Sequence, residues 1–442
     1  MRITDSDPPQ NLMRLGTHLE KHFFDDTDAY DGIVVNANVV EAFPSAIASL
    51  LARFQKPFVI DPITYGFAMP PINMMGNADP KTKKREPKKT FLRLSYWYAE
   101  PLYTRLSAHR STLLDDLRSE QIQDDLCRNV LSFQRERLMT ALRETDDEEY
   151  LVLGRGEIKP KVLMAPYFFM QTLDDGWLDL NLSLVRKSVL AARGMPVYAM
   201  ICVEPDLFNN QVDAERLASL YKGLECVGYF LWLNNFIEDR AKRTILRTLA
   251  SFLNALRPKP VYNAYGGHLS QLLAFNGMTG TCHGPGYGEH RDVLPVGGGL
   301  PSAQYYIRPL RKRMVYAEAE VIVPTSVPEF YARICDCSVC KALVKGDMSG
   351  FEGFGKFETR VTEAGRKYTF STPDSIRNCT LHYLQVKRRE YSEIAAAIKN
   401  SSASTIVTSL QADSQWLKAR VGDFGVAHLN LWQELLQGKL GH

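Results

Sequence analysis

The chain of 442 residues contains little cysteine and almost no net charge. Five of its eight cysteines are scattered without a disulfide-like framework, which suits a reducing compartment. No run of about 18 apolar residues is present, so we expect no membrane span. The first residues contain no apolar segment of the signal-peptide kind, and we therefore expect a cytoplasmic protein. The formal net charge of +3 neither implies nor excludes a nucleic-acid partner.

The composition is that of an ordinary globular protein. Hydrophobic residues make up 45% of the chain and charged residues 23%. A chain of this length can form one large core with additions, or two domains.

Short apolar runs alternate with helical patterns through most of the chain, which indicates the α/β class. Repeated strand–helix units with nearly continuous apolar strands imply a parallel sheet covered by helices. Seven such units over roughly 250 residues favour a TIM-type (β/α)8 barrel, although no eighth strand is apparent. The alternative is an open, doubly wound sheet, but no G-x-G-x-x-G follows the first strand. The seven expected strands are 32–38, 57–61, 162–167, 197–203, 228–233, 261–265 and 278–282.

The barrel pattern is interrupted once and then followed by further segments. Locally, we expect a helix around 11–24 and a strand over 315–323. The expected units are the start of the barrel (1–61), a helical insertion (62–157), the rest of the barrel (158–300), a zinc-binding subdomain (301–399) and a C-terminal helical extension (400–442).

Three of the cysteines form a cluster at C-x-C-x-x-C spacing, Cys335, Cys337 and Cys340. His382, which we expect to open a helix over 381–399, is a candidate fourth ligand, and Cys379 is its rival. Three thiolates and one imidazole would form a closed, structural zinc site. The alternative is that the cysteines pack as small buried hydrophobic residues.

Polar residues follow several of the expected strands, where TIM barrels place their chemistry. Asp61 is either a reactive carboxylate with a pKa tuned by burial or a turn-capping residue. His283 and Glu289 are either an acid–base pair or hydrogen-bonded loop residues. The polar residues at or just after strand ends are Asn36, Asn38, Asp61, Tyr167, Glu204, Asn234, Asn235, Glu238, Gly266, His283 and Glu289.

Two basic segments are candidates for phosphate contacts. The run 81–89 contains Lys83, Lys84 and Arg85, and the nearby aromatic residues Tyr96, Trp97 and Tyr98 could stack on bases. Such runs are also common as solvated loops. The second segment is a basic patch that comprises Arg308, Arg311, Lys312 and Arg313.

The glycine-rich run 284–299 could place backbone N–H groups against a phosphate or form a lid.

The cysteine motif followed by a histidine on a helix resembles the zinc subdomain of the tRNA-guanine transglycosylase superfamily. That superfamily includes relatives that insert 7-deazaguanine bases into DNA. The resemblance implies a barrel enzyme with structural Zn²⁺ that exchanges a guanine of DNA or tRNA for a 7-deazaguanine derivative. It is also compatible with a homodimer or larger assembly, and it leaves the choice between DNA and RNA open.

Several barrel segments are similar to family landmarks. The strand ending at Asp61 resembles the segment whose aspartate holds the base and acts in acid–base chemistry. By order along the chain, Asn234 and Asn235, with Glu238 close by, correspond to a glycine-rich substrate loop. The segment ending at Gly266 looks like the penultimate strand unit, and Asn36 ends a neighbouring strand. These residues are the expected base-binding set.

The sequence departs from the family at the nucleophile. The family requires a carboxylate that attacks the ribose C1′, and the corresponding position falls on Cys282 or on its neighbours Thr281 and His283. Glu289 and Asp292 lie further along in the glycine-rich loop and could reach the site instead. One alternative is therefore a divergent relative that binds nucleic acid or a partner protein without base exchange. Another is a small-molecule hydrolase that uses Glu204, Glu238 or Glu289 as acid or base.

Overall fold

The computed structural model describes residues 1–16, 18–25, 28–79, 81–144, 158–286, 288–294, 302–361 and 367–440. Eight parallel strands form one sheet in the order β3-β2-β1-β8-β7-β6-β5-β4. The two ends of this sheet meet where the Lys161 amide donates to the Phe58 carbonyl over 2.8 Å. The expected TIM-type barrel is therefore confirmed, as a nearly closed ring. Its strands are β1 (Gln10–Leu15), β2 (Gly32–Asn36), β3 (Phe58–Asp61), β4 (Leu163–Met164), β5 (Val197–Val203), β6 (Gly228–Leu233), β7 (Val261–Asn263) and β8 (Met278–His283).

Helices connect the strands and cover the outside of the barrel. They are α1 (Ala37–Ala42), α2 (Pro44–Phe54), α3 (Lys89–Tyr98), α4 (Glu100–Ser107), α5 (Glu120–Arg143), α6 (Trp177–Ala191), α7 (Gln211–Lys222), α8 (Arg243–Ala255) and α9 (His268–Leu272). Along the chain, these helices follow the strands in the order that the alternating apolar and helical patterns predict.

The strand that the sequence did not reveal is β1, and the predicted helix around 11–24 is wrong. Gln10–Leu15 is fully buried and pairs with both β2 and β8, so it closes the ring between the second and eighth strands. Only His18–Phe24 is helical, as a short 3-10 helix. A segment with neighbours on both sides satisfies its backbone groups in the sheet, which overrides a weak helical preference.

The predicted insertion at 62–157 is partly barrel. Helix α5 packs against α2 and α6, so it covers the barrel between β3 and β4. The segment before it, with α3 and α4, is additional to the strand–helix repeat. Residues 145–157 of the predicted insertion lie outside the described residues.

The C-terminal region contains two hairpins and six helices among the described residues. The predicted strand over 315–323 is wrong, because Tyr316–Ile322 is helical and buries Ala319 and Ile322 on one side. None of the described helices combines the length and apolar character that a membrane crossing requires. The elements are β9 (Tyr305–Ile307), β10 (Lys312–Met314), α10 (Tyr316–Ile322), α11 (Val327–Arg333), α12 (Ser338–Val344), β11 (Phe357–Val361), β12 (Lys367–Ser371), α13 (Pro373–Lys399), α14 (Ser404–Gly425) and α15 (Ala427–Leu436).

The burial of β1 leads to a stability prediction for Leu12→Ala. Leu12 is fully buried, so removing its side chain should lower the free energy of unfolding by about 2–5 kcal/mol in a denaturant titration. Leu190→Ala is the matched control, since Leu190 on α6 is 84% exposed and its loss should change stability by less than about 0.5 kcal/mol. Equal effects of the two substitutions would contradict a buried first strand.

Candidate active site and metal centre

The four predicted metal ligands converge in the C-terminal region. One side-chain atom from each of Cys335, Cys337, Cys340 and His382 lies within 4.8 Å of the others, and all four residues are buried. Nδ1 of His382 is 3.4 Å from Sγ of both Cys337 and Cys340. In a tetrahedral zinc site with bonds of about 2.3 Å, ligand atoms are separated by roughly 3.5–3.8 Å. The described geometry therefore fits a closed site, and the Cys₃His group could bind zinc.

The surroundings of the cluster support a metal rather than simple packing. Nε2 of His382 is 2.8 Å from the Tyr306 carbonyl, which leaves Nδ1 as the ligand atom. The ring of Tyr305 stacks on His382 at 4.2 Å, and its hydroxyl is 3.3 Å from Sγ of Cys340. The Cys337 amide approaches Sγ of Cys335 at 3.3 Å. A polar donor set enclosed by aromatic rings and backbone groups is what a structural zinc site requires.

The rival ligand Cys379 does not belong to the cluster. Its thiol is 3.4 Å from the carbonyl of Phe354, and it is not among the four residues whose ligand atoms converge. His382 lies in the third turn of α13 instead of opening a helix, because α13 begins at Pro373. One turn of the chain at α12 and one turn of α13 thus share the proposed ion.

The helix that contains His382, α13, also contacts the barrel through buried charged residues. Lys387 on α13 is fully buried, and its ammonium is 3.1 Å from a carboxylate oxygen of Glu289 in the loop after β8. It also lies 3.3 Å from Glu390, which in turn contacts Nδ1 of His268 at 3.2 Å. Tyr383 donates to Glu289 over 2.9 Å. Glu289 is therefore a link between the barrel and α13.

Asp61 lies at the barrel mouth in a buried polar cluster. Its carboxylate is 2.6 Å from Nη2 of Arg14, and Nη2 also donates to Asn36 over 2.7 Å. The hydroxyl of Tyr167 donates to Asp61 over 2.9 Å, and the Ile63 amide does so over 3.0 Å. Asp61 is 0% exposed. Two predicted residues, Asp61 and Asn36, are thus brought together by an arginine that the sequence did not indicate.

Aromatic rings surround this cluster. The guanidinium of Arg14 lies 4.4 Å from the ring centre of Tyr265. Trp232 packs against Tyr265 at 4.8 Å and against Tyr65 at 4.9 Å between ring centres. Burial alone would lower the pKa of Arg14, but Tyr265 and Asp61 raise it above its ordinary value, so the guanidinium stays charged. A second guanidinium, that of Arg291, lies 5.7 Å from the same Tyr265 ring centre. The mouth therefore combines one carboxylate, two arginine cations and flat aromatic faces.

Cys282 and His283 point to opposite sides of β8. Cys282 lies near Arg14 and Asp61, and burial raises the pKa of its thiol to about 12. A thiol with this pKa is protonated at neutral pH and is a poor nucleophile. His283 instead packs edge-on against Tyr383 of α13 at 5.3 Å, and burial lowers its pKa to about 3. The four residues predicted as catalytic are therefore divided between two places.

The predicted substrate loop is engaged in structural contacts. Asn234 donates to Glu204 over 2.7 Å and accepts from the Val293 amide over 2.8 Å. Asn235 adopts a positive φ of 47°, and its backbone N–H donates to the Arg291 carbonyl over 2.8 Å. These contacts join the loop after β6 to the loop after β8.

Glu238 is a capping residue, and Gly266 is required by close packing. Glu238 accepts from the amides of Gly267 and Leu269 at 2.8 Å each, at the start of α9. Burial raises its pKa to about 7, against the opposing effect of a hydrogen bond from Ser270. A Cβ on Gly266 would lie 2.4 Å from the Ser270 hydroxyl oxygen. Glu238 and Glu289 line one cavity of about 450 Å³ between the barrel and the C-terminal region, whereas Glu204 does not.

The two basic segments differ in availability. Lys83, Lys84 and Arg85 are exposed, and no carboxylate pairs with them among the described residues. The second patch is used internally. Arg308 pairs with Glu393 at 2.6 Å, Arg311 with Asp413 at 3.0 Å and Lys312 with Asp239 at 2.6 Å, while Arg313 donates to the Gly286 carbonyl at 3.0 Å.

Sequence reasoning missed Arg14, Tyr265 and Lys387 as site residues. Arg14 was hidden by the expectation of a helix, although two prolines directly before Gln10 are more typical of a strand or turn. Lys387 is a single charged residue in an amphipathic helix, and its burial has no local signal.

The fold and the cluster define a TIM-type barrel protein with a C-terminal Cys₃His group. No family model matches the chain, and no curated protein matches it. Among solved structures it is similar to 3-dehydroquinate dehydratase from Geobacillus kaustophilus HTA426, with 9% identity, 66% of this chain and 94% of that chain covered and a TM-score of 0.29. It is also similar to xylanase B from Clostridium stercorarium F9, with 9% identity, coverage of 62% and 85% and a TM-score of 0.31. Neither similarity bears on what this chain binds or catalyses.

The cluster predicts the metal content of the purified protein. We expect about one zinc ion per chain by elemental analysis. His382→Ala and Cys340→Ser should each release zinc to a chelator far more readily, because a three-ligand site holds the ion less tightly. Cys379→Ser is the matched control, since Cys379 is equally buried but lies outside the cluster, and it should retain the metal. Loss of zinc only in the control would show that the ligand assignment is wrong.

Proposed function

We propose that the protein is a transglycosylase-like enzyme that exchanges a guanine base of DNA or tRNA for a 7-deazaguanine derivative at the barrel mouth. The observation that carries the proposal is the buried cluster of Asp61, Arg14, Asn36 and Tyr167 at the carboxyl ends of the first strands. The similarity of the cysteine motif to the superfamily's zinc subdomain also supports it.

The groups at the mouth have the chemistry that guanine recognition needs. Nη1 of Arg14 is buried and has no hydrogen-bond partner among the described residues, so it is a donor available to O6 or N7 of a guanine. Tyr65, Trp232 and Tyr265 offer flat faces for a purine. Because these rings pack against one another and Asp61 is buried, a base can enter only when the mouth opens.

In this proposal Asp61 takes the nucleophile's role, and Cys282 does not. An oxygen of the Asp61 carboxylate attacks the ribose C1′, the C1′–N9 bond breaks with its electron pair going to guanine, and the guanine takes a proton from water. The ring nitrogen of the incoming deazaguanine then attacks C1′, returns its proton to the hydroxide formed in the first step and releases the carboxylate. Arg14 and Tyr167 orient the two oxygens of Asp61 before attack.

The protonated Cys282 favours a second candidate function. A relative that lacks a carboxylate on β8 and holds Asp61 in an ion pair could bind nucleic acid or a partner protein without exchanging a base. Lys83, Lys84 and Arg85 would supply the phosphate contacts in both cases.

Covalent trapping distinguishes Asp61 from Cys282. The wild-type protein is incubated with guanine-containing DNA or tRNA and a labelled base, and incorporation and covalent complexes are measured. Asp61→Asn should abolish both, because the amide cannot attack C1′, whereas Cys282→Ala should retain the covalent complex.

Controls separate chemistry from folding. Asp61→Asn leaves the Arg14 charge buried without its partner, so the double variant Arg14→Gln with Asp61→Asn removes both charges and should also be inactive. A covalent complex lost in Cys282→Ala would assign the nucleophile to the thiol. Binding of nucleic acid by the wild type without base release or incorporation would favour the second candidate function.

A further inference from the structure

The outer side of α3 combines cations with exposed aromatic rings. Lys89, Arg93 and Trp97 are spaced by four residues and share one side of the helix, with Tyr96 beside Trp97. Tyr96 is 72% exposed and Trp97 51% exposed. The opposite side of α3 is buried through Phe91, Leu94 and Tyr98. The exposed aromatic residues are therefore not needed for the core.

A third ring extends this surface, which we call the α3 face (Lys89, Arg93, Tyr96, Trp97 and Tyr103). Tyr103 on α4 is 37% exposed and packs edge-on against Tyr96 with 5.6 Å between ring centres. Large exposed apolar groups that lie next to one another mark interaction sites, whereas scattered single ones do not.

The charge of this region is strongly positive although the whole chain is nearly neutral. Residues 71–98 contain seven lysines and arginines against two acidic residues, in a chain of net charge +3. Arg93 forms an ion pair with Glu41, with 3.3 Å between Nε of Arg93 and a carboxylate oxygen of Glu41. The side chains of Lys83, Lys84, Arg85 and Lys89 are exposed and make no ion pair within the described part of the chain. A partner complementary to this surface would be polyanionic and would have flat apolar groups.

The α3 face lies on the same rim of the barrel as Asp61. The segment that leads to α3 leaves the barrel at the end of β3, which Asp61 terminates. Tyr98 at the end of α3 donates to the carbonyl of Pro62, directly after Asp61, over 3.2 Å. From Lys89 to Trp97 the helix spans about 12 Å, or roughly two to four nucleotides of an extended strand.

We propose that the α3 face binds an unpaired, single-stranded segment of nucleic acid. Bases stack on Trp97 and Tyr96, and phosphates contact Lys89 and the run Lys83 to Arg85. A duplex does not fit, because its base faces are covered by neighbouring bases and only single strands offer them to aromatic side chains. This inference rests on the proposed function for the nature of the partner, and it adds that the target base is presented in an unpaired strand.

Binding measurements without any incoming base test this inference. Fluorescence anisotropy is measured with a labelled thymidine 20-mer, the matching uridine 20-mer and a blunt DNA duplex. We expect both single strands to bind at least tenfold more tightly than the duplex. Trp97→Ala and Tyr96→Ala should each weaken single-strand binding about tenfold, and Trp97→Phe should restore most of it.

The basic residues and the aromatic residues should differ in salt dependence. Replacing Lys83, Lys84 and Arg85 together by glutamine should lower the slope of log K against log salt by about 2, whereas Trp97→Ala should leave it unchanged. Phe424→Ala is the control, since Phe424 on α14 is 95% exposed but lies in a different part of the fold, and it should bind as the wild type does.

The outcomes separate this inference from the proposed function. Single-strand binding that depends on Trp97, without base exchange, would leave the inference standing and overturn the proposed function. Base exchange with unchanged binding in Trp97→Ala and Tyr96→Ala would do the reverse. Equal affinity for duplex and single strand, or equally strong competition by polyglutamate, would overturn the α3 face as a single-strand site.

Discussion

The ion pair of Arg14 and Asp61 is the constraint on which the barrel mouth depends. Both charges are buried, and each would be strongly destabilising without the other because neither is solvated by water. Arg14 belongs to β1, Asp61 ends β3, and Asn36 at the end of β2 completes the contact. The same interaction therefore aligns three neighbouring strands and fixes the Asp61 carboxylate at the barrel mouth.

A second set of buried charges joins the C-terminal region to the barrel. Helix α13 contributes His382 to the Cys₃His group and, one to two turns further on, Lys387 and Glu390 to contacts with barrel loops. Although burial would lower it, Glu289 and Glu390 raise the pKa of Lys387 above its ordinary value, so the ammonium remains charged. A metal at His382 would thus restrain the helix that holds the loop after β8.

Local patterns predicted the features that depend on neighbours in the chain. The seven strands and the cysteine spacing could be read correctly, since strand character and ligand spacing are properties of a few adjacent residues. The internal pairing of the second basic patch could not be predicted from the sequence. Arg308, Arg311 and Lys312 form ion pairs with carboxylates that lie 73 to 102 residues away along the chain. Exposure of a charged residue is decided by the surface around it, and the sequence contains no direct record of that surface.

The sequence by itself determined the alternation of strands and helices and the cluster of three cysteines, because both follow from spacing along the backbone. The tertiary structure decided that His382, and not Cys379, lies beside these cysteines. Only the tertiary structure decided that Gln10–Leu15 is the strand that completes the ring. It also decided that Arg14 meets Asp61 across 47 positions and that Cys282 and His283 face opposite sides of one strand. The physical reason is that burial and charge pairing depend on which strands become neighbours when the sheet closes, and that arrangement is fixed by the whole chain.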